Sequence, residues 1–276
     1  MLSERLVLGT AQAKPGYGVT IQSIQQESEF FSMLKVAKQL DIQWIDTAQN
    51  YGLAESWIGK NSEFHFQVAS KIAIKGSDTA GLKKGVEQSA IELGRNQLRV
   101  VFAHDWEESN PHDRENFLSL QKDYSHLKFG ASLYETSSLK DLLSSECVLP
   151  IVQIPFSVLN QSFLPLLENC KNLGIEVWAR SIFLQGAIDY HSIRNPFKDH
   201  PDIIKLADSC KRDFVTPFQV ATSFALSSSV DKFVIGFENA NQLDEIVKLF
   251  NSPKVSANFG ELASADPDLI DPRRWK

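Results

Sequence analysis

Four side chains in the sequence could together donate a proton: an aspartate, a tyrosine, a lysine and a histidine. Asp46 ends a short apolar run and Tyr51 follows five residues later, while Lys71 and His104 end the next two such runs. A free tyrosine has a pKa of about 10, and a nearby ammonium lowers that pKa because it favours the phenolate. A carboxylate would hold the ammonium in place, and a histidine would polarise a carbonyl oxygen. The four residues therefore predict protonation of a carbonyl while hydride arrives from elsewhere.

These side chains can meet only if the runs they end are strands of one sheet. Eight short, mostly apolar runs predict strands buried on both faces, at residues 6–8, 43–46, 67–72, 98–103, 127–132, 151–154, 175–179 and 233–236. Amphipathic segments between them predict helices at residues 26–40, 79–93, 114–123, 139–144, 163–173, 217–226 and 241–250. This alternation predicts an α/β fold, a closed (β/α)8 TIM barrel whose strand ends converge on one mouth.

A doubly wound open sheet is the competing fold. Its dinucleotide fingerprint is G-x-G-x-x-G after the first strand, whereas Gly9 is followed here by T-A-Q. The 276 residues suit one barrel and show no composition shift, so residues 1–276 are expected to form a single domain. Polar residues 185–202 predict a long loop after the seventh strand. Residues 252–276 are expected to form a tail that packs outside the barrel or borders its mouth.

Composition narrows the class of partner. The net charge of −6 and the lack of a dense basic run argue against a nucleic-acid-binding face. No apolar stretch approaches the ~18 residues of a membrane span, and the N-terminus does not resemble a signal peptide. Cys147, Cys170 and Cys210 lie far apart without a C-x-x-C pair, so reduced cysteines and a cytoplasmic location are expected. A small molecule is the expected partner, and the sequence indicates no oligomeric state.

Motifs along essentially the whole chain resemble those of the aldo-keto reductase superfamily, in its bacterial form. The motifs are residues 8–12 (L-G-T-A-Q), residues 44–52 (W-I-D-T-A-Q-N-Y-G) with Glu55 and Gly59-Lys60, Ser70-Lys71, residues 103–105 (A-H-D), residues 129–132 (F-G-A-S), Gln153 and residues 236–245. The resemblance implies a barrel that binds a nicotinamide cofactor across its mouth and reduces an aldehyde or ketone.

The resemblance also implies a role for each matching residue. Tyr51 is the general acid, and Lys71 with Asp46 lowers its pKa. His104 orients the carbonyl of a small-molecule substrate. Ser132 and Gln153 hold the nicotinamide carboxamide. The other residues implied to contact the cofactor are Gly9, Thr10, Arg180, Ser181, Gly236, Glu238, Gln242 and Glu245.

Several positions depart from the family pattern. Leu133 replaces an asparagine that contacts the carboxamide, and Arg180 replaces an aromatic residue that stacks on the nicotinamide. A planar guanidinium can also stack on a ring, so Arg180 is expected to keep that role. Ile246 replaces an asparagine that often contacts adenine.

The departures bear on the choice of cofactor. The family default is NADP(H), held by basic residues that pair with the 2′-phosphate. Residues 236–242 contain no basic residue, and Glu238 would accept hydrogen bonds from a free ribose hydroxyl and repel a phosphate. NAD(H) is therefore the alternative cofactor, with Lys232 and Lys248 as the basic residues that could still reach a phosphate.

Two other functions remain open at the level of sequence. One is a non-catalytic barrel that binds a nicotinamide nucleotide and acts as a redox-sensing partner. The other is a metal-dependent isomerase with ligands drawn from His104, Asp105, Glu107, Glu108 and His112. The spacing of those residues fits no defined zinc pattern, so no metal site is predicted.

Overall fold

Eight strands form a closed parallel barrel. The computed structural model of the protein describes residues 3–18, 26–94, 97–145 and 149–275. The strands β1 to β8 are Leu6–Gly9, Trp44–Asp46, Gln67–Ile72, Leu98–Ala103, Lys128–Ser132, Ile151–Pro155, Glu176–Arg180 and Lys232–Gly236. Each strand pairs in parallel with the next, and β8 pairs with β1. The predicted (β/α)8 barrel is confirmed, and each predicted strand lies within one residue of its observed bounds.

Helices connect the strands and cover the outside of the barrel. In chain order α1 to α10 are Glu27–Gln39, Ala54–Gly59, Thr79–Glu92, Pro111–Asp123, Thr136–Ser144, Leu167–Asn172, Pro201–Asp213, Pro217–Ser227, Ala240–Asn251 and Pro267–Ile270. Local sequence explains several of the helix starts. Asn110 and Thr216 each accept a backbone N–H three residues later, and each is followed by a proline whose fixed φ suits a first turn.

Three helices lie outside the predicted set: α2, α7 and α10. The helix α7 begins at Pro201, inside the segment predicted as a loop, and the His200 side chain caps it by accepting from the Asp202 amide. A proline at the first helical position starts a helix rather than continuing a loop. The helices α2 and α10 have six and four residues, too few to show a helical repeat in sequence.

Side chains alternate along each strand between the barrel interior and the surrounding helices. The interior holds one apolar cluster: Val7, Ala69, Val100, Phe102, Ile151, Trp178 and Val234. Trp178 contacts the edges of the Phe102 and Trp44 rings, with centroids 5.7 Å and 5.2 Å apart. This layer fills the barrel below its carboxyl-terminal mouth, so a ligand can enter only from that mouth.

The structure also bears on the predictions about cysteines and membrane spans. Cys170 and Cys210 are free and buried, and Cys147 lies outside the described residues. Within the described ranges, no helix is both long and apolar enough to cross a membrane.

Candidate active site

A second layer of inward-facing residues lies between the apolar cluster and the carboxyl-terminal mouth of the barrel, and it forms the floor of that mouth. Because alternate residues of a strand face the same side, the residue two positions after each apolar one also faces inward. In chain order this layer consists of Gly9, Asp46, Lys71, His104, Ser132, Gln153, Arg180 and Gly236. All eight were predicted as site residues, and the closed barrel brings them to one mouth.

A buried ion pair lies at the centre of this layer. The Lys71 Nζ atom is 2.5 Å from the Asp46 Oδ2 atom, and the lysine side chain is 1% exposed. Gln153 donates its Nε2 hydrogen to Asp46 Oδ1 at 2.7 Å, and Lys71 also donates to the Thr47 carbonyl at 3.3 Å. Both carboxylate oxygens of Asp46 are therefore occupied, which fixes the lysine beside the mouth. Burial lowers the pKa of Lys71, and the Asp46 charge opposes that shift.

Tyr51 lies over this pair. The Lys71 ammonium is 5.4 Å from the centre of the Tyr51 ring. Gly52, with φ of +61°, lets the loop pack on the Ala13 carbonyl, because a Cβ there would lie 2.8 Å from that oxygen. Burial raises the pKa of Tyr51 well above its usual value, and the Asp46 carboxylate adds to the rise. Burial disfavours the phenolate and so opposes the predicted lowering of this pKa by Lys71, which stays a prediction.

His104 faces Tyr51 as a neutral imidazole. Its ring meets the Tyr51 ring edge-on, with centroids 5.9 Å apart. Burial lowers the pKa of His104 to about 3, helped by the positive charges of Lys71, Arg180 and Lys14. Its backbone N–H continues the strand ladder by donating to the Ile72 carbonyl. The imidazole can therefore hydrogen-bond a carbonyl oxygen without carrying a charge of its own.

A cavity of about 220 Å³ opens above these groups. The residues predicted to be catalytic line this cavity, and so do five residues predicted to contact the cofactor: Gly9, Ser132, Arg180, Ser181 and Gly236. The walls that sequence reasoning missed are Ala11, Gln12, Lys14, Tyr17, Asn50, Tyr134, Gln185, Val234 and Pro272. Gln12 belongs to the motif at residues 8–12, which was noted only for its resemblance to the family. Pro272 belongs to the C-terminal tail, so the tail borders the mouth.

Arg180 is already in contact with protein groups. It donates from Nη2 to the Leu133 carbonyl at 3.0 Å, and its Cζ atom lies 3.9 Å from the centre of the Tyr134 ring. The Arg273 guanidinium lies over the same ring at 4.1 Å and pairs with Asp271 and Glu135, each at 2.7 Å. Stacking of Arg180 on a nicotinamide ring stays a prediction, while its stacking on Tyr134 is observed.

A larger cavity of about 540 Å³ adjoins the first, with Gln12, Tyr17, Gln185, Val234 and Gly236 common to both. Its walls come mainly from the loop after β7 and from the end of β8 with the start of α9. The loop contributes His191 and Arg194, and the second segment contributes Glu238 and Gln242. Residues 236–242 lack a basic residue, but the loop supplies Arg194.

Thr10, Glu245 and the two lysines considered for a phosphate have other surroundings than those expected of cofactor contacts. The Thr10 hydroxyl donates to the Asp46 carbonyl at 3.0 Å, so it supports the catalytic strand. Glu245 is exposed on α9 and lines neither cavity. Of the two lysines considered for a phosphate, Lys232 donates to the Glu4 carbonyl and Lys248 pairs with Asp244.

The acidic loop after β4 has structural partners. Asp105 accepts the backbone N–H groups of Ile74 and Lys75, and Glu107 accepts those of Tyr134 and Glu135. No group of three or more histidine, cysteine or acidic side chains that could hold a metal ion occurs in the part of the chain that the structure describes. These carboxylates tie neighbouring loops to one another.

Comparison with known proteins gives a family and a fold. Residues 5–267 match the sequence model of the Aldo/keto reductase family. No curated protein gave a significant match. Among solved structures, a holo-form aldo-keto reductase from Bacillus halodurans superposes with a TM-score of 0.76 and 17% identity, covering 98% of this chain and 95% of that one.

Two further structures are similar. An aldo-keto reductase from Bombyx mori in complex with NADP has a TM-score of 0.71 at 17% identity, covering 98% of this chain and 92% of that one. A glycerol dehydrogenase from Gluconobacter oxydans has a TM-score of 0.69 at 16% identity, covering 93% and 89%. At these identities the superpositions establish the shared fold.

Proposed function

Because this chain belongs to the aldo/keto reductase family of NAD(P)H-dependent oxidoreductases, we propose that it reduces an aldehyde or ketone to an alcohol, with Tyr51 as the general acid. The observation that carries the proposal is the cluster of Asp46, Lys71, Tyr51 and His104 at the floor of one cavity. A bound reduced nicotinamide would supply the hydride. The residues of the chain then have to bind the carbonyl compound, orient it and deliver one proton to its oxygen.

Tyr51 suits the role of proton donor. A tyrosine hydroxyl is protonated at neutral pH, so it has a proton to donate in the direction of reduction. Negative charge developing on the carbonyl oxygen would be stabilised by the Lys71 ammonium and by a hydrogen bond from neutral His104. The Asp46 carboxylate and Gln153 amide keep that ammonium in position. The reverse oxidation needs the phenolate and is expected to rise at high pH.

Buried polar atoms support the binding of a nicotinamide. Gln153 Oε1 is buried and has no partner within the described residues, while its Nε2 is held by Asp46. A buried acceptor without a donor is costly, so a ligand amide that donates to it would be bound favourably. Gln12 Oε1 is a second such atom and lies at the junction of the two cavities. Gln153 and Ser132 would hold the carboxamide, and the larger cavity would take the rest of the cofactor.

We further propose that the enzyme discriminates weakly between NADP(H) and NAD(H). Glu238 and Arg194 both line the larger cavity. A carboxylate there disfavours a 2′-phosphate and favours a ribose hydroxyl, whereas the guanidinium favours the phosphate. Opposed contributions of this kind leave a small net preference.

A screen of aldehydes and ketones with NADPH and NADH, read by loss of nicotinamide absorbance, tests the proposed activity. Reduction of at least one carbonyl compound is expected, and Tyr51→Phe serves as the matched inactive control. Tight binding of both cofactors with no turnover of any compound would contradict the proposal. That result would favour the redox-sensing barrel.

A further inference from the structure

Positive charge is concentrated in the smaller cavity. Its walls include three cations, Lys14, Lys71 and Arg180, and one acid, Asp46. His104 is neutral there, because burial and these same cations lower its pKa to about 3. The cavity walls therefore carry a net charge of +2 in a chain whose net charge is −6. This imbalance calls for a negative ligand group.

The cations differ in how far they are already neutralised. Lys71 is paired with Asp46 at 2.5 Å, so the pair as a whole adds no net charge to the cavity. Arg180 donates to a backbone carbonyl and stacks on Tyr134, but no ion pair within the described ranges includes it. Lys14 has neither a hydrogen bond from its ammonium nor an ion pair with any described residue. Lys14 thus has no counter-ion among the described residues, and Arg180 interacts with an acid, Asp271, that is itself paired with Arg273.

Lys14 is held beside the catalytic tyrosine. Its carbonyl accepts the Tyr17 amide at 3.2 Å and its own amide donates to Ala11 at 3.0 Å, which fixes the turn. The flanking residues Ala13 and Pro15 pack against Gly52, the residue after Tyr51. The ammonium is exposed at the rim of the cavity, so it is available to a group that enters with the substrate.

We propose that the preferred substrate is a small carbonyl compound that also carries an anionic group, bound by Lys14 with support from Arg180. This inference rests on the proposed reductase function and specifies its substrate class. A carboxylate or a phosphate would satisfy the two cations, and an Arg fork suits either geometry. A cavity of about 220 Å³ restricts the substrate to a small molecule.

The test compares pairs of compounds with and without a negative charge, and the members of the carboxylate pairs also have nearly the same shape. The carboxylate pairs are 3-formylbenzoate and 4-formylbenzoate with their neutral amides, and the phosphate pair is glyceraldehyde 3-phosphate with glyceraldehyde. The wild-type kcat/KM is expected to be about tenfold or more higher for the anion in at least one pair, the size of a charged hydrogen bond. Raising the salt concentration should reduce that preference. Which pair shows it identifies the anionic group.

Two variants assign the preference to Lys14. Lys14→Gln should lower the anion-to-neutral ratio of kcat/KM about tenfold. Lys84→Gln, which removes the same charge from an exposed position on α3, should leave the ratio unchanged. Equal or better turnover of the neutral member in every pair would overturn the inference. So would a Lys14→Gln variant that loses cofactor affinity, measured by fluorescence titration, with no change in the ratio.

Calorimetry with the cofactor-free protein separates this inference from the proposed activity. Tighter binding of formylbenzoate than of its amide, lost in Lys14→Gln, would support the anion site even if no compound is turned over. Reduction of the neutral and anionic compounds at equal rates, with equal binding, would keep the reductase function and refute the anion site.

Discussion

The two cavities at the barrel mouth are built differently. The smaller one rests on strand ends, and its central groups are locked by hydrogen bonds from Lys71 and Gln153 to Asp46. The larger one is formed mainly by the loop after β7 and the start of α9, with exposed side chains such as Arg194 and Glu238. Its walls carry two acids and one arginine, so its net charge is −1, against +2 in the smaller cavity. The smaller cavity, called the pocket below, is positively charged and its central groups lie on strand ends. The larger cavity, called the groove below, is built mainly from loop residues.

The loop after β7 has an unusual backbone geometry. Ser181, Leu184 and Gln185 have φ of 62°, 46° and 50°, a conformation that non-glycine residues seldom adopt. Such positions persist only where surrounding contacts hold them. Ser181 and Gln185 line the pocket and Gln185 also lines the groove, so both cavities depend on this loop, while the central groups of the pocket also depend on barrel register. Mutations should affect chemistry in the pocket and cofactor preference in the groove.

Removal of the buried ammonium should have a large effect on the rate. Lys71→Met is expected to lower kcat about 10²-fold or more, because the variant loses the charge that stabilises developing negative charge on oxygen. It also leaves the Asp46 carboxylate unpaired, which raises the Tyr51 pKa further. The alkaline limb of alcohol oxidation should move to higher pH in a profile of kcat against pH.

The matched control for that variant is Asp46→Asn/Lys71→Met. It removes both charges, so it should recover stability lost in Lys71→Met while remaining slow. An unchanged alkaline limb in Lys71→Met would show that the lysine does not act on Tyr51.

Alanine substitutions at two glycines should separate an effect on the stability of the barrel from an effect on cofactor binding. A Cβ at Gly130 would lie 2.5 Å from the Ile151 carbonyl and 2.8 Å from the Phe102 ring, so Gly130→Ala should destabilise the fold by about 1–3 kcal/mol. A Cβ at Gly236 would meet the end of the flexible Gln12 side chain, which can move. Gly236→Ala should weaken cofactor binding with little change in the free energy of unfolding. Chemical denaturation and fluorescence titration measure the two effects, and the reverse pattern would refute this assignment.

Cofactor preference tests the groove directly. The ratio of kcat/KM for NADPH over NADH should be below about 100, equivalent to ~2.7 kcal/mol. Arg194→Gln should lower the ratio and Glu238→Gln should raise it, each by about tenfold. A ratio above that limit that neither substitution changes would mean that another residue binds the 2′-phosphate of NADPH.

The dependence of stability on pH tests the environment of His104. Its pKa is about 3 in the folded chain and about 6.5 when unfolded, so between these values the unfolded chain binds more protons. The contribution of His104 to stability is therefore fully present above pH 6.5 and is lost as the pH falls towards 3. Unfolding free energies measured across this range should fall less steeply in His104→Gln than in the wild type. Parallel curves would show that His104 titrates normally.

The sequence predicts the pocket far better than the groove, and the reason is physical. Strand periodicity and parallel pairing place the last inward-facing residue of each strand at the mouth. Asp46, Lys71 and Gln153 could therefore be assigned to one site from the sequence. Cavity walls that come from loops, such as Arg194 and Tyr134, follow no periodic pattern. The direction of the Tyr51 pKa shift was also beyond sequence reasoning, since it depends on burial and on how completely Asp46 neutralises Lys71.

The most direct test of the central claim is single-turnover carbonyl reduction by Tyr51→Phe with saturating reduced cofactor. Loss of the hydroxyl removes the proton donor while the ring still fills its place, so the rate should fall by about 10²–10⁴-fold. Cofactor affinity, measured by fluorescence titration, should stay close to that of the wild type. A variant that reduces the carbonyl at the wild-type rate would contradict the assignment of Tyr51 as the acid.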